Sequence, residues 1–138
     1  MDRHIQTIFC DDVRHELGGK LSYMGVYNGV LFVPAFPVTL PKLCLVINVL
    51  TPAEKPFAKL VLRVLTNEEV LIEEDFDETQ YTVRENEDRL LIFPSIFVFS
   101  PCQLDGPCIL RVRAETEEGE LKGPGLIIGQ APAEIVQV

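Results

Sequence analysis

The alternation of hydrophobic and polar residues along the chain predicts short β-strands. The clearest example is the segment 108–115, CILRVRAE. Every second residue of this segment is expected to face a protein core: Cys108, Leu110, Val112 and Ala114. A period of two residues is that of a strand with one buried face and one solvated face.

Seven further segments are rich in β-forming residues and are separated by turn residues: 5–10, 21–27, 30–33, 43–50, 59–66, 90–99 and 126–129. Helical periodicity is nearly absent, and the spacing of the segments is typical of a sandwich or a barrel. The segment 43–50, LCLVINVL, is apolar on both faces, which predicts a strand in the middle of a sheet. Pro94 predicts either a bend in the strand 90–99 or its division into two strands.

Two connections between these strands have distinctive residues. Asn28-Gly29 separates two β-prone runs, and this dipeptide predicts a tight hairpin because both turn positions favour positive φ. The segment 33–41, VPAFPVTLP, carries three prolines and is therefore expected to be an extended crossover from one sheet to another.

These elements predict one all-β domain over residues 1–138. We expect an antiparallel β-sandwich of about eight strands with immunoglobulin-like architecture. A chain of 138 residues suits a single domain, and its hydrophobic content of 47% is enough for a sizeable core.

The net charge of −9 narrows the classes of partner. Nucleic acids and anionic membranes are recognised by basic surfaces, so neither is expected as a partner. No apolar run approaches the ~20 residues of a membrane span. The N-terminal residues show no signal-peptide pattern, so we expect a cytoplasmic protein with four free cysteine thiols.

The segment CDDVRHE, 10–16, gathers groups that are able to react or to bind metal. A nucleophilic Cys10 would need a lowered pKa and a base, and His15 is the nearest base in the sequence. The adjacent aspartates raise the pKa of a thiol, and the spacings typical of zinc sites are absent. We therefore interpret the segment as a strand end and a polar turn, with an enzyme built from unrecognised loops as an alternative.

Other motifs are incomplete. HELGG, 15–19, lacks the second histidine of a zinc protease, and GPGLIIG, 123–129, has the wrong glycine spacing for a dinucleotide site. No cofactor is therefore expected.

CQLDGPC, 102–108, places two cysteines on either side of a turn, where they pair with each other or simply pack in the core; we favour packing.

The segment 68–88 contains ten of the 21 acidic residues and one base. Calcium is bound by carboxylates that converge from loops, which makes Asp75 and Asp77 candidates for a calcium site. An acidic solvated loop is the commoner interpretation of such a segment.

The opening of the chain resembles a family of small uncharacterised bacterial and phage proteins. The resemblance is carried by the pattern CDD-x-R-x-E-x-x-G-K-x-S-x-x-G-x-Y over 10–27, followed by Leu40-Pro41-Lys42. It implies no assigned activity and no catalytic residue. It does imply a shared turn formed by Asp11, Asp12, Arg14, Glu16 and Lys20, in which the carboxylates cap backbone N–H groups or pair with Arg14 or Lys20.

The favoured function is a non-enzymatic interaction or structural module. The sequence lacks catalytic constellations, while its apolar content and sheet edges suit self-association or docking on another protein. The alternative from a different class is a sandwich that binds calcium or a small ligand.

Overall fold

The computed structural model of the protein describes residues 2–76, 84–85 and 89–132. This part of the chain contains strands and no helix, which confirms the all-β class. The strands are β1 (His4–His15), β2 (Leu21–Val26), β3 (Val30–Val33), β4 (Val38–Leu40), β5 (Leu43–Pro52), β6 (Leu60–Thr66), β7 (Glu69–Phe76), β8 (Arg84–Glu85), β9 (Leu90–Phe99), β10 (Cys102–Leu104), β11 (Cys108–Thr116) and β12 (Gly119–Gln130).

Two five-stranded sheets form the body of the molecule. The first sheet has the order β2-β1-β5-β9-β8, and all its pairs are antiparallel. The second has the order β3-β12-β11-β6-β7, in which β3 and β12 are parallel. The short strands β4 and β10 pair separately. The expected antiparallel pairing therefore holds for every described pair except β3 and β12.

The predicted hairpin at Asn28-Gly29 does not form. Strand β2 lies at the edge of the first sheet, whereas β3 lies at the edge of the second. Gly29 has a φ of 86°, as the dipeptide predicts, and its carbonyl accepts a hydrogen bond from the Ile127 N–H at 2.9 Å. A turn sequence specifies local backbone angles, but the pairing partner of β3 is decided by β12, about a hundred residues away.

The proline-rich crossover is confirmed. It leads from β3 in the second sheet to β5 in the first, and its residues 38–40 also form β4. The segment 90–99 is one continuous strand, β9, opposite the whole length of β5.

The count of about eight strands was too low, since the described part of the chain contains twelve. The four additional strands are β4, β7, β8 and β10. Three of them are only two or three residues long. Such strands carry no measurable period and exist because a partner lies beside them in the fold.

The inward residues of both sheets form one hydrophobic cluster. The first sheet supplies Phe9, Leu43, Leu45, Ile47, Val49 and Phe93, and the second supplies chiefly Leu31, Leu60, Leu62, Val64, Leu110, Val112, Ala114, Leu126 and Ile128. The predicted inward set of 108–115 is confirmed, with Cys108 half-buried at its end. Strand β5 is central and almost fully buried, as predicted.

Candidate functional site

The segment 10–16, which the sequence predicted to be a strand end and a polar turn, lies in the distal half of a β-hairpin. Strand β1 continues to His15 and pairs with β2 as far as the His15–Leu21 pair. Asp11, Asp12 and Arg14 therefore lie in a strand, and only Glu16 and Lys20 of the predicted turn lie in the loop. This corrects the expected strand end at Cys10. The residues of this segment are polar because the projecting hairpin is surrounded by solvent. The backbone groups of β1 form their hydrogen bonds with β2.

The two aspartates have side-chain partners, and Asp12 also accepts a hydrogen bond from the Val13 backbone. Asp12 accepts a hydrogen bond from the Lys42 ammonium at 2.9 Å and lies 3.9 Å from the Arg14 guanidinium. The bond with Lys42 lowers the pKa of Asp12 and raises that of Lys42. Asp11 accepts a hydrogen bond from the Tyr27 hydroxyl. Burial, followed by this bond, raises the pKa of Tyr27.

The surroundings of Cys10 oppose a reactive thiolate. Its side chain is fully buried, and its thiol donates a hydrogen bond to the Asp12 carbonyl at 3.4 Å. Burial raises its pKa, and the thiol of Cys44, directly opposite in the sheet, raises it further. His15 lies five residues further along the hairpin, at the mouth of a cleft.

Of the two calcium candidates, the structure describes only Asp75. Asp75 is exposed in β7, opposite Val61, and Asp77 lies outside the described residues. Within residues 2–76 and 89–132 no group of three or more His, Cys, Asp or Glu side chains is placed to hold a metal ion.

Cys102 and Cys108 are free thiols in this structure. Both are half-buried and line a cavity of about 380 Å³ beside the β10–β11 turn. Burial raises the pKa of each thiol. The favoured interpretation, packing rather than pairing, is the arrangement found.

The largest described cavity is a cleft of about 740 Å³ between the β1–β2 hairpin and the outward face of β5 and β9. We call it the hairpin cleft. Its apolar lining consists of Leu21, Tyr23, Val46, Ile92, Pro94 and Ile96. Glu16, Lys20 and Asn48 add polar groups.

Several apolar side chains of the hairpin are exposed to solvent. Leu17 at the hairpin tip is 93% exposed, and Leu21 and Met24 on β2 are exposed as well. The outward face of the first sheet continues this surface with Val98. A solvated outward face normally alternates to polar residues, so these apolar side chains mark a surface available for contact.

Sequence reasoning placed 43–50 in the middle of a sheet and 90–99 in a bent strand or a strand pair, and it did not find the cleft. The available signal was the apolar character of 43–50 on both faces. In an antiparallel sandwich one face of a strand is expected to be polar, so the second apolar face indicated a covering element. That element is the projecting β1–β2 hairpin, whose residues Leu21 and Tyr23 line the cleft together with Val46.

Comparison with models of protein families identifies the family of the chain. A model of DUF6941, a family of unknown function, matches residues 6–128. The chain belongs to this family. DUF6941 therefore includes the hairpin, both sheets and most of β12. The comparisons find no match among curated proteins or solved structures. No described helix is long and apolar enough to cross a membrane.

Proposed function

We propose that the chain is a non-enzymatic protein-interaction module and that the hairpin cleft is its binding site. The observation that carries this proposal is the cleft itself, an apolar channel beneath a projecting hairpin with an exposed leucine at its tip. The apolar lining favours binding of an apolar protein segment. Each large apolar side chain that becomes fully buried on binding contributes roughly 1.5–3 kcal/mol to the free energy of association.

The ligand of the cleft is an apolar segment of another protein chain. The cleft opens to solvent, where Leu21 is 40% exposed. A small molecule is usually held in a pocket that encloses most of its surface, whereas a peptide lies along a groove. Glu16 and Lys20 at the cleft provide charges of both signs to orient such a segment.

The test uses two variants that add the same charge at different places. Ile96→Glu puts a carboxylate in the cleft, and Val70→Glu puts one on the exposed strand β7 of the other sheet. Tagged proteins are used for capture from the native host, followed by size exclusion with light scattering. We expect a stoichiometric partner, or a defined oligomer, with wild type and Val70→Glu but not with Ile96→Glu. Equal behaviour of all three proteins, or a monomer without partner, contradicts the proposal.

We also propose that the sheets have immunoglobulin-like topology. The order β1-β5-β9-β8 corresponds to strands A, B, E and D of that fold, and β12-β11-β6-β7 corresponds to G, F, C and C′. The single hydrophobic cluster between the sheets supports the same architecture. An experimental structure in which these two sheets do not face each other would contradict it.

The bacterial or phage origin, the cytoplasmic location and the absence of nucleic-acid partners stay part of this proposal. They are supported by the resemblance of the opening segment and by the net charge of −9. Fractionation of the native host, followed by immunodetection, tests the location.

A further inference from the structure

The outward face of the second sheet carries a row of positive charges. Arg63, Arg113 and Lys122 are direct cross-strand neighbours on β6, β11 and β12. Arg111 lies two residues before Arg113 on the same strand and therefore on the same face. The row is notable because the chain as a whole has a net charge of −9.

Neutralisation of this row is uneven. Arg63 donates hydrogen bonds to Glu73 at 3.1 Å and to Glu115 at 3.3 Å. The guanidinium of Arg113 reaches its nearest carboxylate, Glu120, only at 3.8 Å.

Arg111 and Lys122 form no ion pair with any described residue. Like charges directly opposite each other destabilise a sheet. Folding alone therefore does not account for Lys122 beside Arg113.

A shallow groove of about 420 Å³, which we call the basic groove, is bordered by Arg111, Arg113 and Lys122. Gly125 forms part of its floor, and a Cβ at this position would overlap the Leu110 carbonyl oxygen. The glycine therefore allows β12 to approach β11 closely at the groove. Ile109 and the exposed Ile127 form an apolar end of the groove.

We propose that the basic groove binds an extended acidic segment of a partner protein, with carboxylates at alternate positions and an apolar residue beside them. Alternate residues of an extended chain are about 6.6 Å apart. Arg111 and Arg113 on β11 therefore have the same spacing as two carboxylates at alternate positions of an extended partner segment. Guanidinium groups bind carboxylates through two parallel hydrogen bonds, so this spacing selects the sequence of the segment. Ile127 provides the contact for the apolar residue.

A protein segment is favoured over nucleic acid by the charges around the groove. Glu73, Glu115 and Glu120 border the row of cations on the same face. A polyanion that extends beyond the groove meets these carboxylates within the screening distance of about 8–10 Å. A short acidic peptide contacts only the cations.

The experiment measures fluorescence anisotropy of a labelled peptide with the pattern Glu-Ser-Glu-Ser-Val, whose two glutamates and valine lie on one face of an extended chain. The groove variant is Arg111→Gln/Lys122→Gln, and the matched control is Arg14→Gln/Arg89→Gln, which removes the same charge from two exposed sites elsewhere. We expect the groove variant to bind the peptide about tenfold more weakly and the control to change by less than about twofold. Binding of the wild type should weaken between about 50 mM and about 200 mM salt.

A structural role of the two cations predicts a different result. If they stabilise the sheet, the groove variant melts at a lower temperature than wild type; if they serve binding, its melting temperature is unchanged or higher. The proposal is overturned by equal loss in both double variants, by absence of peptide binding, or by tighter binding of a labelled oligothymidylate. None of these results bears on the hairpin cleft, which lies on the other sheet.

Discussion

At the scale of single residues, Arg3 is the most tightly held charge in the described chain. Its side chain is only 4% exposed, and it donates hydrogen bonds to the Thr51 hydroxyl at 2.9 Å and to the Glu117 carboxylate at 2.6 Å. Its guanidinium also lies 4.5 Å from the centre of the Phe57 ring. A buried charge is costly without partners, and these contacts join Arg3 to Thr51 and to the β11–β12 turn.

The Arg3–Glu117 pair predicts a specific pH dependence. The hydrogen bond from Arg3 holds the pKa of Glu117 at about 2 in the folded protein, against 4.5 for an ordinary glutamate. The unfolded chain therefore binds more protons between these values, and this contribution to stability, complete above pH 4.5, is lost as pH falls to about 2. We expect Glu117→Gln to be less stable than wild type at neutral pH and the difference to shrink across this window.

Denaturant titrations at several pH values measure this difference. Glu16→Gln, in the exposed hairpin loop, serves as a control for loss of a carboxylate. A Glu117→Gln penalty that stays constant down to pH 2 would rule out the linkage.

Gly25 determines how the hairpin bends. Its φ is 66°, and a Cβ there would overlap the Asp11 carboxylate that binds Tyr27. Gly18 has a similar φ of 81° with no atom within 4 Å of an added Cβ. We expect Gly18→Ala to cost about 1–2 kcal/mol from backbone strain and Gly25→Ala to cost about 1 kcal/mol more.

Urea unfolding of the two alanine variants provides the comparison. The additional cost of Gly25→Ala should fall when Asp11→Ala is added, because the overlapping group is then absent. Equal costs at both glycines would show that the Asp11 contact has no energetic role.

At the scale of strands, cross-strand rows give the two outward faces opposite characters. One row of the first sheet consists of Val26, Cys10, Cys44 and Val98, and one row of the second consists of Glu73, Arg63, Arg113 and Lys122. Cys10 and Cys44 are buried in the middle of the apolar row, and Val26 and Val98 are exposed at its two ends. The charged row supports contacts that weaken with salt.

A single substitution in the charged row tests its energetics. Lys122→Glu replaces a like-charge neighbour of Arg113 by an opposite charge, so we expect stabilisation of about 0.2–1 kcal/mol. Lys122→Gln, which only removes the repulsion, should have a smaller effect of the same sign. Thermal unfolding at low salt measures both, and destabilisation by Lys122→Glu would mean that Lys122 stabilises the sheet.

At the scale of the whole molecule, one hydrophobic cluster joins the two sheets. Leu45 from the first sheet and Leu62 from the second are both fully buried in it. A shared core predicts that the chain unfolds as one cooperative unit, in agreement with the expectation of a single domain.

Two variants test this cooperativity. Leu45→Ala and Leu62→Ala should each lower the free energy of unfolding by about 2–5 kcal/mol and shift one common transition. Circular dichroism and tyrosine fluorescence follow the unfolding, since the chain has no tryptophan. Two separate transitions, each affected by only one variant, would show that the sheets unfold independently.

The sequence by itself determined the elements whose residues repeat with a strand period. The alternation in 108–115 identified the inward set of β11, the apolar character of 43–50 identified the central strand β5, and the prolines of 33–41 identified the crossover. Periodicity, backbone angles and the loss of a hydrogen-bond donor are local properties, so they can be derived from neighbours in the chain.

Only the tertiary structure decided which strands pair and which side chains become neighbours. In the tertiary structure β3 lies beside β12, and β1 continues through Asp12. The hairpin forms a cleft with Val46, and Arg113 lies opposite Lys122. A one-residue change in register would move each of these side chains to the other face, and register depends on partners far away in the chain. Both proposed binding surfaces belong to this second group, because each is assembled from strands that are distant in the sequence.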